Sequence, residues 1–262
     1  MKIWFVTPCS REFAGPFAEV LETTIKKFPR EGTTVTCGWI SEGEQPFSTP
    51  TLHQFALATN GVAMANSIIV AEKQGYDAGI VGCTIDPGLY AARSVVNIPV
   101  TACTESAVLL SHTLGFKFSI IALEDSQASS IHGVIMHYGL TERLASIRGL
   151  GVTSEEGMRL YSNPKKLINL LTEKAKIFIK DDGAEVIIPG CTILSTILSA
   201  NNCCEINGVP VIDPIAAAIK MAEVLVDLKK SCNYQVSRTG LYGREKDAPL
   251  SLPLKYGAIS KG

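Results

Sequence analysis

Short, almost continuously apolar runs alternate along the chain with longer amphipathic stretches. The pattern predicts strands at 2–7 (KIWFVT), 33–40 (TTVTCGWI), 78–82 (AGIVG), 98–102 (IPVTA), 117–123 (KFSIIAL), 144–148 (LASIR), 185–189 (EVIIP) and 209–212 (VPVI). Little polar alternation interrupts these runs, as expected of strands covered on both faces. Helical periodicity lies between them, near 14–28, 51–74, 87–96, 126–138, 164–181, 192–202 and 214–230. Strand–helix alternation at this spacing predicts an α/β fold with parallel sheets.

The pattern also repeats. Gly75-x₆-Gly82-Cys83-Thr84-Ile85 matches Gly183-x₆-Gly190-Cys191-Thr192-Ile193, each with an apolar strand before the cysteine. A second short strand follows each copy, Ile98-Pro99-Val100 and Val209-Pro210-Val211. We read two similar lobes related by a pseudo-two-fold axis. The first comprises 1–101 plus the returning helix and tail, 213–262, and the second 102–212. The tail 237–262 is expected to be an extended arm.

Composition narrows the function. Hydrophobic residues make up 46% of the 262 positions and charged ones 19%, enough apolar matter for full cores. The net charge of −1 (24 Lys and Arg against 25 Asp and Glu) gives no electrostatic footprint for nucleic acid or an anionic membrane. The uncharged stretch 54–71 carries Gln54, Asn60, Asn66 and Ser67, and 186–204 is broken by Pro189-Gly190, so neither reads as a bilayer span. The first apolar run is too short for a signal peptide, and a cytoplasmic location is expected. The eight cysteines are then expected to be reduced, and with no CxxC, HExxH or Cys/His array no metal site is predicted. No GxGxxG follows the first strand, and neither GxxxxGK[ST] nor GxSxG occurs, which argues against nucleotide use and serine hydrolysis.

The chemistry points to the repeated segments. Ligands of parallel α/β units bind beyond the carboxyl ends of the strands, and Cys83 and Cys191 each follow such a strand at the start of a helix. Free amides and the positive dipole end there are expected to lower a thiol pKa toward neutrality. The same amides, with the Thr84 and Thr192 hydroxyls, are placed to hold an oxyanion. Two opposed thiols suit cofactor-free racemisation, one removing a proton from a carbon beside a carbonyl and the other returning one to the opposite face. Ile85 and Ile193 are expected to line the cleft with the two threonines. Pro8 and Cys9 shape its far wall, and Phe47 sits in the loop 41–50, a candidate lid. Asp86 before Pro87 reads as the cap of the helix that follows it. Glu105 reads as a helix N-terminal carboxylate supporting the cleft, and Glu124-Asp125-Ser126 as a cap or a polar contact for substrate. His53, His112, His132 and His137 have no motif spacing.

Gly82-Cys83-Thr84-Ile85-Asp86-Pro87-Gly88-Leu89, followed by Ala91-Ala92-Arg93, resembles the first cysteine segment of hydantoin and allantoin racemases, within the aspartate/glutamate racemase superfamily. The stretch ending Ile188-Pro189-Gly190-Cys191-Thr192 resembles the second. Ile98-Pro99-Val100 with Glu105-Ser106-Ala107, and Val209-Pro210-Val211-Ile212-Asp213-Pro214, fit as well. The resemblance implies flavodoxin-like lobes with the active site between them, a homo-oligomer, a small-molecule substrate, no cofactor and no metal. It carries the two catalytic thiol roles onto Cys83 and Cys191, with a 5-substituted hydantoin or an allantoin-like compound as substrate. One departure bears on the substrate: Thr7-Pro8-Cys9 stands where hydantoin racemases usually have Asn-Pro-Asn. Retention of both cysteines argues against the decarboxylase branch. An amino-acid racemase and a maleate cis–trans isomerase remain as alternatives, with a non-catalytic small-molecule sensor as the reading from another class.

Overall fold

A computed structural model of the protein describes residues 1–40 and 54–243. The first half runs β1 (Lys2–Thr7), α1 (Arg11–Ala14), α2 (Pro16–Thr24), β2 (Thr34–Trp39), α3 (Gln54–Lys73), β3 (Ala78–Val81), α4 (Leu89–Val95), β4 (Val100–Ala102) and α5 (Cys103–Leu114). The second half runs β5 (Phe118–Ala122), α6 (Ala128–His137), β6 (Leu144–Gly149), α7 (Ser154–Arg159), α8 (Pro164–Lys180) and β7 (Val186–Pro189). It continues through α9 (Thr192–Ala200), β8 (Glu205–Ile206), β9 (Val209–Pro210) and α10 (Pro214–Cys232).

Two parallel sheets result, ordered β2-β1-β3-β4 and β6-β5-β7. The expected strand at 209–212 divides. Val209–Pro210 pairs antiparallel with β8, while Val211 forms a single parallel bridge to Ile187 and the Ile212 amide donates to the Ile187 carbonyl at 2.9 Å. That bridge occupies the place β4 holds in the first sheet, so the two halves share one strand order. The expected helix 14–28 also divides: Gly15, at φ 52°, ends α1, and Pro16 starts α2.

Strand residues are buried on both faces but still sort by alternation. Ile3, Phe5 and Ile80 belong to an apolar core that continues through Ala18 and Leu21 of α2 into Leu167, Leu171 and Phe178 of α8 and Ile187 of β7. Val6, Val81 and Val100 face the other way, against Met64 and Ile68 of α3. Burying each such side chain contributes about 1.5–3 kcal/mol, and the first core spans both sheets without a break. Helix α3, long and apolar enough by composition to cross a bilayer, packs on β1, β3 and α4. Helix α10 packs along α5, β3 and β4.

A glycine precedes each of the paired cysteines for lack of space. A Cβ on Gly82 would lie 2.3 Å from the Phe5 ring and 2.7 Å from the Val6 carbonyl oxygen. One on Gly190 would lie 2.7 Å from Ile120 Cγ2 and 3.1 Å from the Ile121 carbonyl oxygen. Gly82→Ala is expected to cost about 1–3 kcal/mol of stability by overpacking, read as a lower denaturant midpoint with unchanged slope. An unchanged midpoint would show that the β1–β3 contact yields to a methyl group.

Candidate active site

Parallel strands of one sheet end at one edge, so β1, β2 and β3 deliver Thr7-Pro8-Cys9, Ile40 and Cys83 to the same rim. The Gly82 amide donates to the Val6 carbonyl at 2.7 Å, the last rung before the chains part, which sets Pro8 and Cys9 beside Cys83. Beyond β7 the chain reaches Cys191, the N-cap residue of α9. Thr84 Oγ1 donates to the Gly190 carbonyl oxygen at 2.7 Å and binds the first cysteine segment directly to the second. The Cys83 thiol lies close enough to Cys191 and to Cys9 to feel the charge of either.

Cys83 is 7% exposed, and Cys191 keeps somewhat more solvent contact. Against the expected lowering, both thiols titrate high. Burial pushes Cys83 up to about 12, opposed by the Ile85 amide. Burial also raises Cys191 above the ordinary thiol value of 9.0, opposed by the amides of Ile193 and Leu194. The helix N-terminus acts in the expected direction, but desolvating a thiolate costs more than those amides return. Burial likewise holds Cys9 near 12.

The expected lining sorts unevenly. Thr192 is partly exposed at the first position of α9, with Ile193 buried beside it. Thr84 departs from its expected part: its one hydroxyl proton is committed to Gly190, so it has none to offer an oxyanion. Ile85 packs against apolar residues of both the β3 and the β5–β7 surroundings, filling the joint between the halves. Phe47 and the loop 41–50 lie outside the described residues, as does the tail from 244. The tail's described part runs back over α4, with the Arg238 guanidinium donating to the Arg93 carbonyl at 2.9 Å and the Tyr242 ring stacked on Tyr90.

Asp86 corrects the sequence reading. Helix α4 begins at Leu89 with Gly88 at its N-cap, so Asp86 does not cap the helix that follows it. Its carboxylate accepts instead from the amides of Thr104 (2.9 Å) and Glu105 (2.7 Å), at the start of α5, and from Tyr138 Oη (2.6 Å). Burial raises its pKa to about 7 against those three donors. Glu105 sits in the first turn of α5, as expected, and forms a forked ion pair with Arg93. In the Glu124-Asp125-Ser126 loop the cap is Glu124, boxed with Gln127, while Asp125 accepts from the Gly149 amide at 2.7 Å.

Three side chains carried no sequence signal. Tyr138 is the distant donor to Asp86. Tyr161 Oη donates to the Ile193 carbonyl at 3.1 Å, close enough to Cys191 to feel its charge, with its ring 5.6 Å from that of Phe17. Asn60 is fully buried on α3, and neither atom of its amide has a partner among the described residues. Asn60→Leu, which removes both orphaned atoms at similar volume, is expected to raise stability by about 1–3 kcal/mol. A fall in the denaturant midpoint would reveal a partner for the amide.

The sequence profile of the Asp/Glu/Hydantoin racemase family matches residues 18–222. The chain belongs to that family. It is an isomerase of the racemase type. The hydantoin racemase of Pseudomonas sp. (strain NS671) is 31% identical over 80% of this chain and 81% of its own. That of Rhizobium meliloti is 32% identical over 68% of this chain and 70% of its own. The allantoin racemase structure from Pseudomonas fluorescens superposes with a TM-score of 0.78 over 94% of this chain and 97% of its own. At 24% identity, that likeness establishes the two-sheet fold alone.

Proposed function

We propose that this racemase interconverts the enantiomers of a neutral ring compound with a hydrogen on a carbon beside a carbonyl, a 5-substituted hydantoin or an allantoin-like ureide. Cys83 and Cys191 form the acid–base pair, and no cofactor takes part. One thiolate takes the ring proton, the carbon's electron pair moves onto the adjacent carbonyl, and the other thiol protonates the carbon from the opposite face. The Thr84–Gly190 bond, which binds the two cysteine segments to one another, is the observation that carries this reading.

The surroundings of the thiols favour an uncharged substrate. Among the described residues, Cys83 is acted on by the Ile85 amide and then by Asp86, Cys191 and Cys9, and Cys191 by the amides of Ile193 and Leu194. None is a cation. A free carboxylate brought to these thiols would meet the Asp86 charge that already acts on Cys83, with no cation among those groups to offset it, which weighs against aspartate, glutamate and maleate. The relatives from Pseudomonas sp. and Rhizobium meliloti described above are hydantoin racemases, which supports the same substrate class.

The test is polarimetry of L-5-benzylhydantoin, allantoin, L-aspartate and L-glutamate with purified protein, and absorbance for maleate, against enzyme-free controls. Turnover of a neutral ring compound with none of the carboxylates supports the reading. Turnover of a carboxylate alone overturns it.

A further inference from the structure

Each thiol segment is tied to the start of a following helix by a buried or half-buried aspartate, and the two ties mirror one another. On the first side, the α5 N-cap position is Ala102, whose methyl group can accept nothing, so the cap is supplied by Asp86 from the Cys83 turn. The Asp86 amide donates to the Cys83 carbonyl at 3.1 Å, which makes Cys83 and Asp86 the two ends of a single turn. Thr104 Oγ1, from the same helix start, donates to the Thr84 carbonyl at 2.6 Å. Asp86 takes a positive φ of 49° to do this, a conformation that costs a non-glycine residue free energy. Tyr138, which closes the carboxylate's shell, comes from the end of α6 in the other half of the chain.

On the second side, Asp213 caps α10 through the Ile215 and Ala216 amides at 2.7 and 3.1 Å. It also accepts from the hydroxyls of Ser195 (2.7 Å) and Ser199, both on α9, the helix that Cys191 opens. Helices α5 and α10 pack on one another, so both ties end on the same helical pair.

We propose that Asp86 and Asp213 are positioning residues, each holding one thiol, Cys83 and Cys191 respectively, at its proton-transfer distance from substrate. The inference rests on the two-thiol reading above. Neither aspartate needs to touch the substrate. Each fixes a turn or a helix relative to the α5–α10 pair, and proton transfer falls steeply when donor and acceptor drift apart.

The test exploits the directional bookkeeping of a racemase. Slowing transfer at one thiol enlarges the substrate-deuterium effect for the enantiomer that thiol deprotonates, and enlarges the solvent-deuterium effect for the other. Cys83→Ser and Cys191→Ser first identify the two enantiomers, because each variant exchanges the ring hydrogen of one hand only. If both variants racemise at the native rate, the two-thiol reading itself fails, whatever the aspartates do. With the hands assigned, Asp86→Asn is expected to lower kcat at least tenfold with KM little changed, and to enlarge the substrate-deuterium effect on the Cys83 side alone. Tyr138→Phe, which removes one donor and leaves the cap, is expected to show the same split with a smaller loss. Ser195→Ala is expected to reverse the split, toward Cys191. Folded variants with equal isotope effects on both hands, or with native rates, would overturn the proposal.

Discussion

Cys83→Ser and Cys191→Ser are each expected to lower racemisation of 5-benzylhydantoin by roughly 10²–10⁴-fold, the span over which a positioned acid or base acts. A serine hydroxyl ionises far above a thiol, so the variant residue cannot serve as base near neutrality. The surviving thiolate can still take a proton from the enantiomer that presents one to it, and then hand it back to the same face. Each variant should therefore exchange the ring hydrogen of one hand with solvent while leaving its configuration intact, and the two variants should select opposite hands. Proton NMR in deuterated buffer on resolved enantiomers reads both quantities. Exchange of the same hand in both variants would place the two sulfurs on one face of the substrate and contradict the account.

The second large effect is on pH. The working enzyme needs one thiolate opposite one thiol. Burial favours the neutral thiol at both positions, holding Cys83 near 12 and Cys191 above 9.0. At neutral pH few molecules then carry the single thiolate, and the fraction grows as pH rises toward the lower of the two ionisations. We expect kcat/KM to climb by up to about tenfold per pH unit from 7 to 9, and to fall only as the second thiol ionises near 12. Inactivation of the free protein by iodoacetamide follows thiolate alone and should climb over the same range, independent of any ionisation of the substrate. A plateau already reached by pH 7 would show that the helix amides outweigh burial.

The dominance of burial over the helix amides marks where the sequence stops being legible. A cysteine placed after an apolar strand and before a helix announces the amides that stabilise its thiolate. It says nothing of how much water Ile85, Thr84 and the neighbouring segment exclude. The strands are legible because Ile3, Phe5 and Ile80 are apolar in runs too short for helices, while their order in the sheets is not, and the duplication is legible because Gly82-Cys83 and Gly190-Cys191 need the same missing Cβ. Helix α5 was absent from the helical stretches because it follows β4 without a turn or a capping side chain, its cap arriving from Asp86 far back in the chain. For the same reason the sequence pattern points Asp86 to the wrong helix. Local rules assign a carboxylate before proline to the next element, whereas this one is held by Thr104, Glu105 and Tyr138. Contacts of that kind, formed across tens of residues, leave no periodicity to read.

The central claim is that two groups on opposite faces share the proton transfer, and its most direct test is early-time racemisation of protiated L-5-benzylhydantoin by the native protein in D₂O. With recovered substrate and product separated by chirality at a few per cent conversion, the account predicts one deuterium at C5 of the product and none in the recovered L-enantiomer. Deuterium appearing in recovered substrate as fast as in product would mean that a single group serves both faces, and would contradict it.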